Sequence, residues 1–329
     1  MLVSSYDIFS KLIGRLKEVK QLSKRVKYGR LYLPSETIGL KVSYLTKEEI
    51  KVLIEEYNRL NAIKDFAQYV LNTKNGSRMF NVITKTWNPV TGCIHNCIYC
   101  WARKLALTKL KNTKKYKDGF LPKIHPEEFR VKFENGVVFV TDMGDLFNNK
   151  VPKEWILKVI KHIEKFPNTY FLFLTKNPER YQEFLSLFPE NAILGATIET
   201  NKDKLFIKQR ISDAPLPSLR YEAMKKLKWK LKFISIEPIL DFDLYIFTKW
   251  IQEINPFMVY VGYDNYNNKL PEPPLEKTRK LITKLSKFTL VIQKTIRPAW
   301  YEKQTITSYF NSRTKKRNRK INTTQYQIF

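Results

Sequence analysis

From residue 80 onward the chain alternates apolar runs with helical patterns, and this alternation limits the possible folds more than any other feature. Seven runs, "FNVITKTW", "VVFVTDM", "TYFLFLTK", "AILGATIE", "KFISIEPI", "MVYVGY" and "FTLVIQKTI", are rich in Val, Ile and Phe without strict alternation. Strands buried on both faces have this composition. The patterns between them, "KEWILKVIKHIEKF", "PERYQEFLSLF", "LRYEAMKKLK" and "LYIFTKWIQEI", supply the crossovers that parallel strands require. The expected class is therefore α/β, as a barrel or an open doubly wound sheet. Six or seven units fall short of the eight in a closed TIM barrel, so an incomplete (β/α)6-type barrel is the expectation.

The flanks differ from this region. Residues 1–78 are lysine-rich and mainly helical, with patterns "DIFSKLIGRLKEVKQLSKRV" and "LTKEEIKVLIEEYNRLNAIKDFAQYVLN" around the extended piece "GRLYLPSETIGLKVSYL". Thr46 ahead of Glu48 and Glu49 predicts the start of the second helix, because a hydroxyl and first-turn carboxylates suit the unpaired amides there. Residues 299–329 form a basic tail with no apolar period in "RTKKRNRK". The expected organisation is thus 1–78, an α/β region over 79–298, and 299–329.

All three cysteines of the chain, Cys93, Cys97 and Cys100, lie in "TWNPVTGCIHNCIYCWARK", between the first strand and a helix beginning near "YCWARKLALTKL". Loops at the carboxyl ends of parallel strands form active sites in such folds, which puts the thiols at the chemical face. Spacing of C-x3-C-x2-C lets one short loop direct three thiolates at a single iron-sulfur centre. Three ligands on a four-iron cluster leave one iron open, and an open position is where a cofactor or substrate binds. His95, inside the loop, offers the alternative of a Cys3His zinc site. His125 and His162 read as surface or packing residues, and Trp87 and Trp101 either shield the loop or fill the core.

An odd cysteine number, with no amino-terminal signal pattern, argues for a reducing, cytoplasmic setting over a secreted disulfide scaffold. No run of eighteen apolar residues suggests a membrane span. With 59 Lys and Arg against 31 Asp and Glu, the formal charge is +28. A nucleic-acid partner is one reading of that excess, and a solubilising surface is the other. Oligomeric state is not legible.

"CIHNCIYC", with Tyr99 directly before the last cysteine, resembles the signature of the radical S-adenosylmethionine (radical SAM) superfamily. "TWNPVTGC", "VFVTDMGDLF", "FLFLTKNPERY", "LGATIETN" and "FISIEPIL" extend the resemblance, in order over residues 80 to 297, to phage and archaeal radical SAM proteins of unassigned substrate related distantly to spore photoproduct lyase. The resemblance implies a [4Fe-4S] cluster on the three cysteines, bound S-adenosyl-L-methionine, an external one-electron donor and a 5'-deoxyadenosyl radical that takes hydrogen from a substrate. It implies a methionine-amino acceptor in "TDMGDLF", from Asp142 or Asp145, with Gly144 allowing close approach. Thr175 and Lys176 would meet a carboxylate. Glu199, Thr200 and Asn201 would meet ribose hydroxyls, and Glu237, Asp264 and Asn265 end the following strands.

Overall fold

The computed structural model describes residues 26–27, 30–31, 47–72 and 82–302. Thr46, the basic tail beyond Glu302 and nearly all of the first predicted helix and of the extended piece lie outside these residues. Two short strands, β1 (Val26–Lys27) and β2 (Arg30–Leu31), pair antiparallel, and α1 spans Lys47–Asn72.

Each of the seven apolar runs supplies one strand of a single parallel sheet: β3 (Lys85–Trp87), β6 (Gly136–Val140), β7 (Thr169–Thr175), β8 (Ala192–Thr197), β9 (Lys232–Ile236), β10 (Met258–Val261) and β11 (Leu290–Gln293). Every strand lies beside its neighbour in the chain, in the order β3-β6-β7-β8-β9-β10-β11. A doubly wound sheet needs a reversal of strand order, and none occurs here. The crossovers include α3 (Lys153–Ile163), α4 (Asp203–Lys208), α5 (Pro217–Lys226), α6 (Leu244–Ile254) and α7 (Leu275–Leu285). The expected helix "PERYQEFLSLF" forms a 3₁₀ helix, Pro178–Leu187, pinned by the Tyr181 hydroxyl, which donates to Gly195 O at 2.9 Å.

Side chains of a strand alternate between faces, and both faces of this sheet are apolar. Val138, Val140, Phe171, Phe173, Leu194, Ile234 and Val259 share one core with Ile156 and Val159 of α3, Ile251 of α6 and Leu281 of α7. Their neighbours Val137, Phe139, Leu172, Ile193, Phe233 and Tyr260 share a second core with Leu60, Ile63 and Phe66 of α1. Phe66 meets Tyr170 and Phe257, which flank the amino ends of β7 and β10, with ring centroids 5.0 and 5.4 Å away. The predicted amino-terminal helix thus closes the amino end of the sheet.

The cysteine segment is an excursion between β3 and β6. Two short strands, β4 (Val90–Thr91) and β5 (Lys123–Ile124), pair antiparallel at its base, and α2 (Trp101–Leu107) begins directly after the last cysteine. Trp87 lies in the helix-side core against Phe129, Phe133 and His162, and its indole donates to Glu128 O, so it is a core aromatic and not a shield for the cysteines. His162 bonds Val131 O at 2.9 Å within that core, and His125 bonds the Thr91 hydroxyl at 2.8 Å. Past β11 the chain stays packed: Ala299 is buried, and Glu302 Oε2 accepts the amides of Leu275 (3.0 Å) and Ala299 (2.7 Å).

Candidate functional site

Glycine chemistry fixes where the cysteine loop sits. Gly92 has φ +87°, and a Cβ there would lie 2.2 Å from Leu121 O. A Cβ on Gly144 would lie 2.7 Å from Gly92 O. The two backbones bridge directly, with Gly92 N donating to Met143 O (2.9 Å) and Asp145 N to Gly92 O (3.3 Å). Only residues lacking a side chain permit this approach, which holds the cysteine loop against the loop after β6. Gly144 therefore does allow a close approach, and its partner is the chain itself.

All three cysteines are free thiols and partly buried. Cys93 Sγ accepts the His95 amide (3.4 Å), Cys97 Sγ lies 3.1 Å from Ser212 Oγ, and Cys100 caps α2 by accepting the Arg103 amide (3.3 Å). Burial, reinforced by the charge of Asp145, pushes the Cys93 thiol well up. Burial also raises Cys97, against the opposing charge of Lys176. Among the described residues, the group of potential ligand atoms mutually within 4.8 Å is Cys93, His95 and Asp145; Cys97 and Cys100 do not join it. Sulfurs around one tetrahedral zinc would lie about 3.8 Å apart, given zinc-sulfur bonds of about 2.3 Å.

Two buried polar networks support the loop. In the first, both oxygens of Asp145 are used: Oδ1 accepts Thr175 Oγ1 (2.7 Å) and the Phe147 amide (3.0 Å), while Oδ2 accepts the Lys176 amide (2.9 Å) and faces His95 Nε2 (3.0 Å). Burial alone would raise this carboxyl, but the His95 hydrogen bond leads the opposing effects and holds it below its ordinary range. Asp142 differs. It is half-buried, takes Asn88 Nδ2 at 2.5 Å as its side-chain partner, and is raised by burial. The residue before it, Thr141, is held at φ 61°, an unfavourable conformation for a β-branched side chain. Its buried hydroxyl has no hydrogen-bond partner among the described residues.

The second network centres on Glu199, which is fully buried after β8. Its Oε1 receives Lys176 Nζ (2.6 Å) and the Tyr99 hydroxyl, and its Oε2 receives Arg220 Nη1 (2.7 Å). Burial opposes its charge, yet Arg220 and then Lys176 outweigh burial and push Glu199 down to about 2. Lys176 also donates to the Tyr99 hydroxyl (2.7 Å), so one carboxylate ties the cysteine loop to the ends of β7 and β8 and to α5.

The sequence reading missed Arg220. Pro217, Arg220, Tyr221 and Met224 are buried at helical spacing, so an arginine on the inward stripe of α5 was the available signal. Gly92, Asn88 and Ser212 were also missed, and their partners lie far away in the chain.

Other expected residues sit apart from these networks. Thr200 Oγ1 donates to Asp241 O (2.6 Å), and Asn201 Oδ1 accepts the Asp243 amide (2.8 Å), so both shape the turn before α6. Glu237 is raised by burial and faces Lys294 Nζ at 3.1 Å. Asp264 accepts the amides of Tyr266 and Asn268, and Asn265 takes the Thr295 hydroxyl. Trp101 packs partly buried beside Cys93 and Cys100.

No curated protein matches the chain by sequence. Among solved structures it is similar to a spore photoproduct lyase mutant with dinucleoside spore photoproduct (12% identity, TM-score 0.42, 62% of this chain and 61% of that chain). Another mutant of that lyase, with bound AdoMet and dinucleoside spore photoproduct, matches at 12% identity and TM-score 0.42 over 85% of this chain and 80% of that one. Streptococcus suis SuiB bound to precursor peptide SuiA matches at 11% identity and TM-score 0.41, over 89% of this chain and 66% of that chain. The chain spans about three-fifths of the length of the first of these. Residues 79–251, more than half of the chain and including the whole cysteine excursion, match one family model, and the protein belongs to that family, described as protein of unknown function DUF5131.

Proposed function

We propose that this protein is a radical SAM enzyme on an incomplete barrel, acting in the cytoplasm with an external one-electron donor. The carrying observation is the cysteine loop: three thiols at C-x3-C-x2-C spacing, at the carboxyl end of a parallel sheet, braced by two buried networks. The donor set suits a four-iron cluster, because three free thiols in one loop are the usual ligands of an iron-sulfur centre. Thr141 Oγ1 and Arg220 Nη2, buried without hydrogen-bond partners among the described residues, add unused polar capacity.

Cys93, Cys97 and Cys100 would hold the [4Fe-4S] cluster, and S-adenosyl-L-methionine would lie over the same mouth. When bound, the pair supplies reductive cleavage of the sulfonium to a 5'-deoxyadenosyl radical, which takes hydrogen from a substrate. Asp142 is our choice for the methionine amino group, since both oxygens of Asp145 are already engaged. Lys176 and Glu199 would act chiefly by setting the position of Tyr99 and hence of the loop, with Glu237 the next carboxylate along the mouth. Residues 79–298 would form the catalytic region, with 1–78 and 299–329 as flanking parts. Nucleic acid is the proposed substrate class, on the strength of the net charge.

Anaerobic purification tests the reading. About four irons per chain and cleavage of S-adenosyl-L-methionine to 5'-deoxyadenosine by the reduced protein are expected. A colourless protein holding zinc on the same cysteines would overturn it.

A further inference from the structure

From α2 into the turns that follow it, the cysteine excursion carries an unusual charge distribution. Residues 103–117 contain seven Lys and Arg residues and no Asp or Glu. Lys115 pairs with Glu128, whereas Lys109, Lys111, Lys114 and Lys117 are exposed and have no ion pair among the described residues.

These lysines stand on an ordered frame. Successive turns close through Thr113 N to Leu110 O (2.9 Å), Tyr116 N to Thr113 O (3.0 Å) and Gly119 N to Tyr116 O (2.9 Å). Cys93 N then donates to Phe120 O (2.9 Å). Tyr116 and Phe120 are buried with Met143, and Cys93 and Cys100 pack against the same cluster. The turns that carry the lysines are therefore held by the core against which Cys93 and Cys100 also pack.

Apolar side chains are exposed in the same excursion: Ile98 (51%), Leu107 (45%) and Leu121 (69%). A duplex presents phosphates on its outside and keeps its base faces stacked, so it offers these side chains little. A single strand offers phosphates and unstacked base faces together, so it can meet both the cations and the exposed apolar side chains of this excursion, the phosphates supplying the electrostatic part of the affinity. An atom inside a stacked duplex would also be out of reach of a site at the mouth of the sheet.

We propose that the lysine turn is the docking surface for single-stranded nucleic acid, holding its phosphates next to the cysteine loop. The inference deepens the proposed function by giving its substrate class a surface, and it rests on that reading for the chemistry but not for the binding.

The test uses the full chain and labelled oligonucleotides of one sequence, as single-stranded DNA, single-stranded RNA and duplex, titrated across a salt series. A K109Q/K111Q/K114Q/K117Q variant is compared with K158Q/K161Q/K165Q/K284Q, which removes the same charge from exposed positions of α3, its carboxyl-terminal flank and α7. Single strands should bind more tightly than duplex. The turn variant should lose tenfold or more in affinity, and its log-log salt slope should flatten by up to about 3, at about 0.7 per lost phosphate contact. The control variant should change either measure far less. Equal losses in both variants would assign the binding to diffuse charge and overturn the inference, as would duplex binding as tight as single-strand binding. A wild-type protein that binds single strands through the turn yet never cleaves S-adenosyl-L-methionine would support the surface while removing the catalytic reading.

Discussion

The two ends of the same parallel sheet are built from opposite materials. At the amino ends, Leu60, Ile63 and Phe66 of α1 close an apolar core. At the carboxyl ends, Asp145, His95, Glu199 and Arg220 are all buried, each at 5% exposure or less. Apolar burial stabilises on its own, by roughly 25 cal/mol per Å². Burying an ion costs several kcal/mol unless partners with good geometry surround it. The carboxyl end meets that demand with bonds between distant segments, such as Lys176 to Tyr99 and Arg220 to Glu199. A sheet that could be closed by hydrocarbon at both ends instead concentrates charge, strain at Thr141 and all its cysteines at one.

Four sets of substitutions test that contrast. On the proposed cluster assignment, replacing Cys93, Cys97 or Cys100 singly with Ala should abolish retained iron and formation of 5'-deoxyadenosine, because three ligands would be the minimum with one iron open. A variant that reconstitutes normally would remove that residue from the ligand set. Glu199→Gln or Arg220→Met should each cost about 3–5 kcal/mol in urea unfolding, since each strands a buried charge. Replacing both residues together should cost less than the sum, and strict additivity would break the paired account.

At the other end, Phe66→Ala should cost about 3 kcal/mol, while the iron content of the folded protein should match wild type. Loss of iron in that variant would mean that the two ends are coupled. The smallest effect belongs to Lys232 at the start of β9, a cation set among apolar residues. Its amine donates to Met224 O (3.2 Å), and burial, with the charge of Arg59, lowers it to about 8. The unfolded chain keeps this proton to about pH 10.5, whereas the folded chain releases it near about pH 8, so stability should rise with pH between those values. Lys232→Met should be more stable at pH 7, by about 1–3 kcal/mol, and should lack that rise. An unchanged pH profile would count against a buried, perturbed amine.

The sequence by itself determined the seven strands, three of the four helices expected between them and the gathering of the thiols in one loop, because burial on both faces, helical periodicity and ligand spacing are written in neighbouring residues; the crossover Leu275–Leu285 was not anticipated. "CIHNCIYC" brings its three cysteines into one short loop by spacing alone, and "TYFLFLT" has the composition of a buried strand. Tertiary structure alone decided that Asp145 is consumed by His95, Thr175 and Lys176 while Asp142 keeps only Asn88 as its side-chain partner. It also decided that Gly144 meets Gly92, that α1 closes the amino end, and that an arginine in an ordinary helical pattern holds Glu199 ionised. Those facts join residues 21 to 54 or more positions apart, and no local pattern of size, charge or period specifies which distant partner a buried group will find.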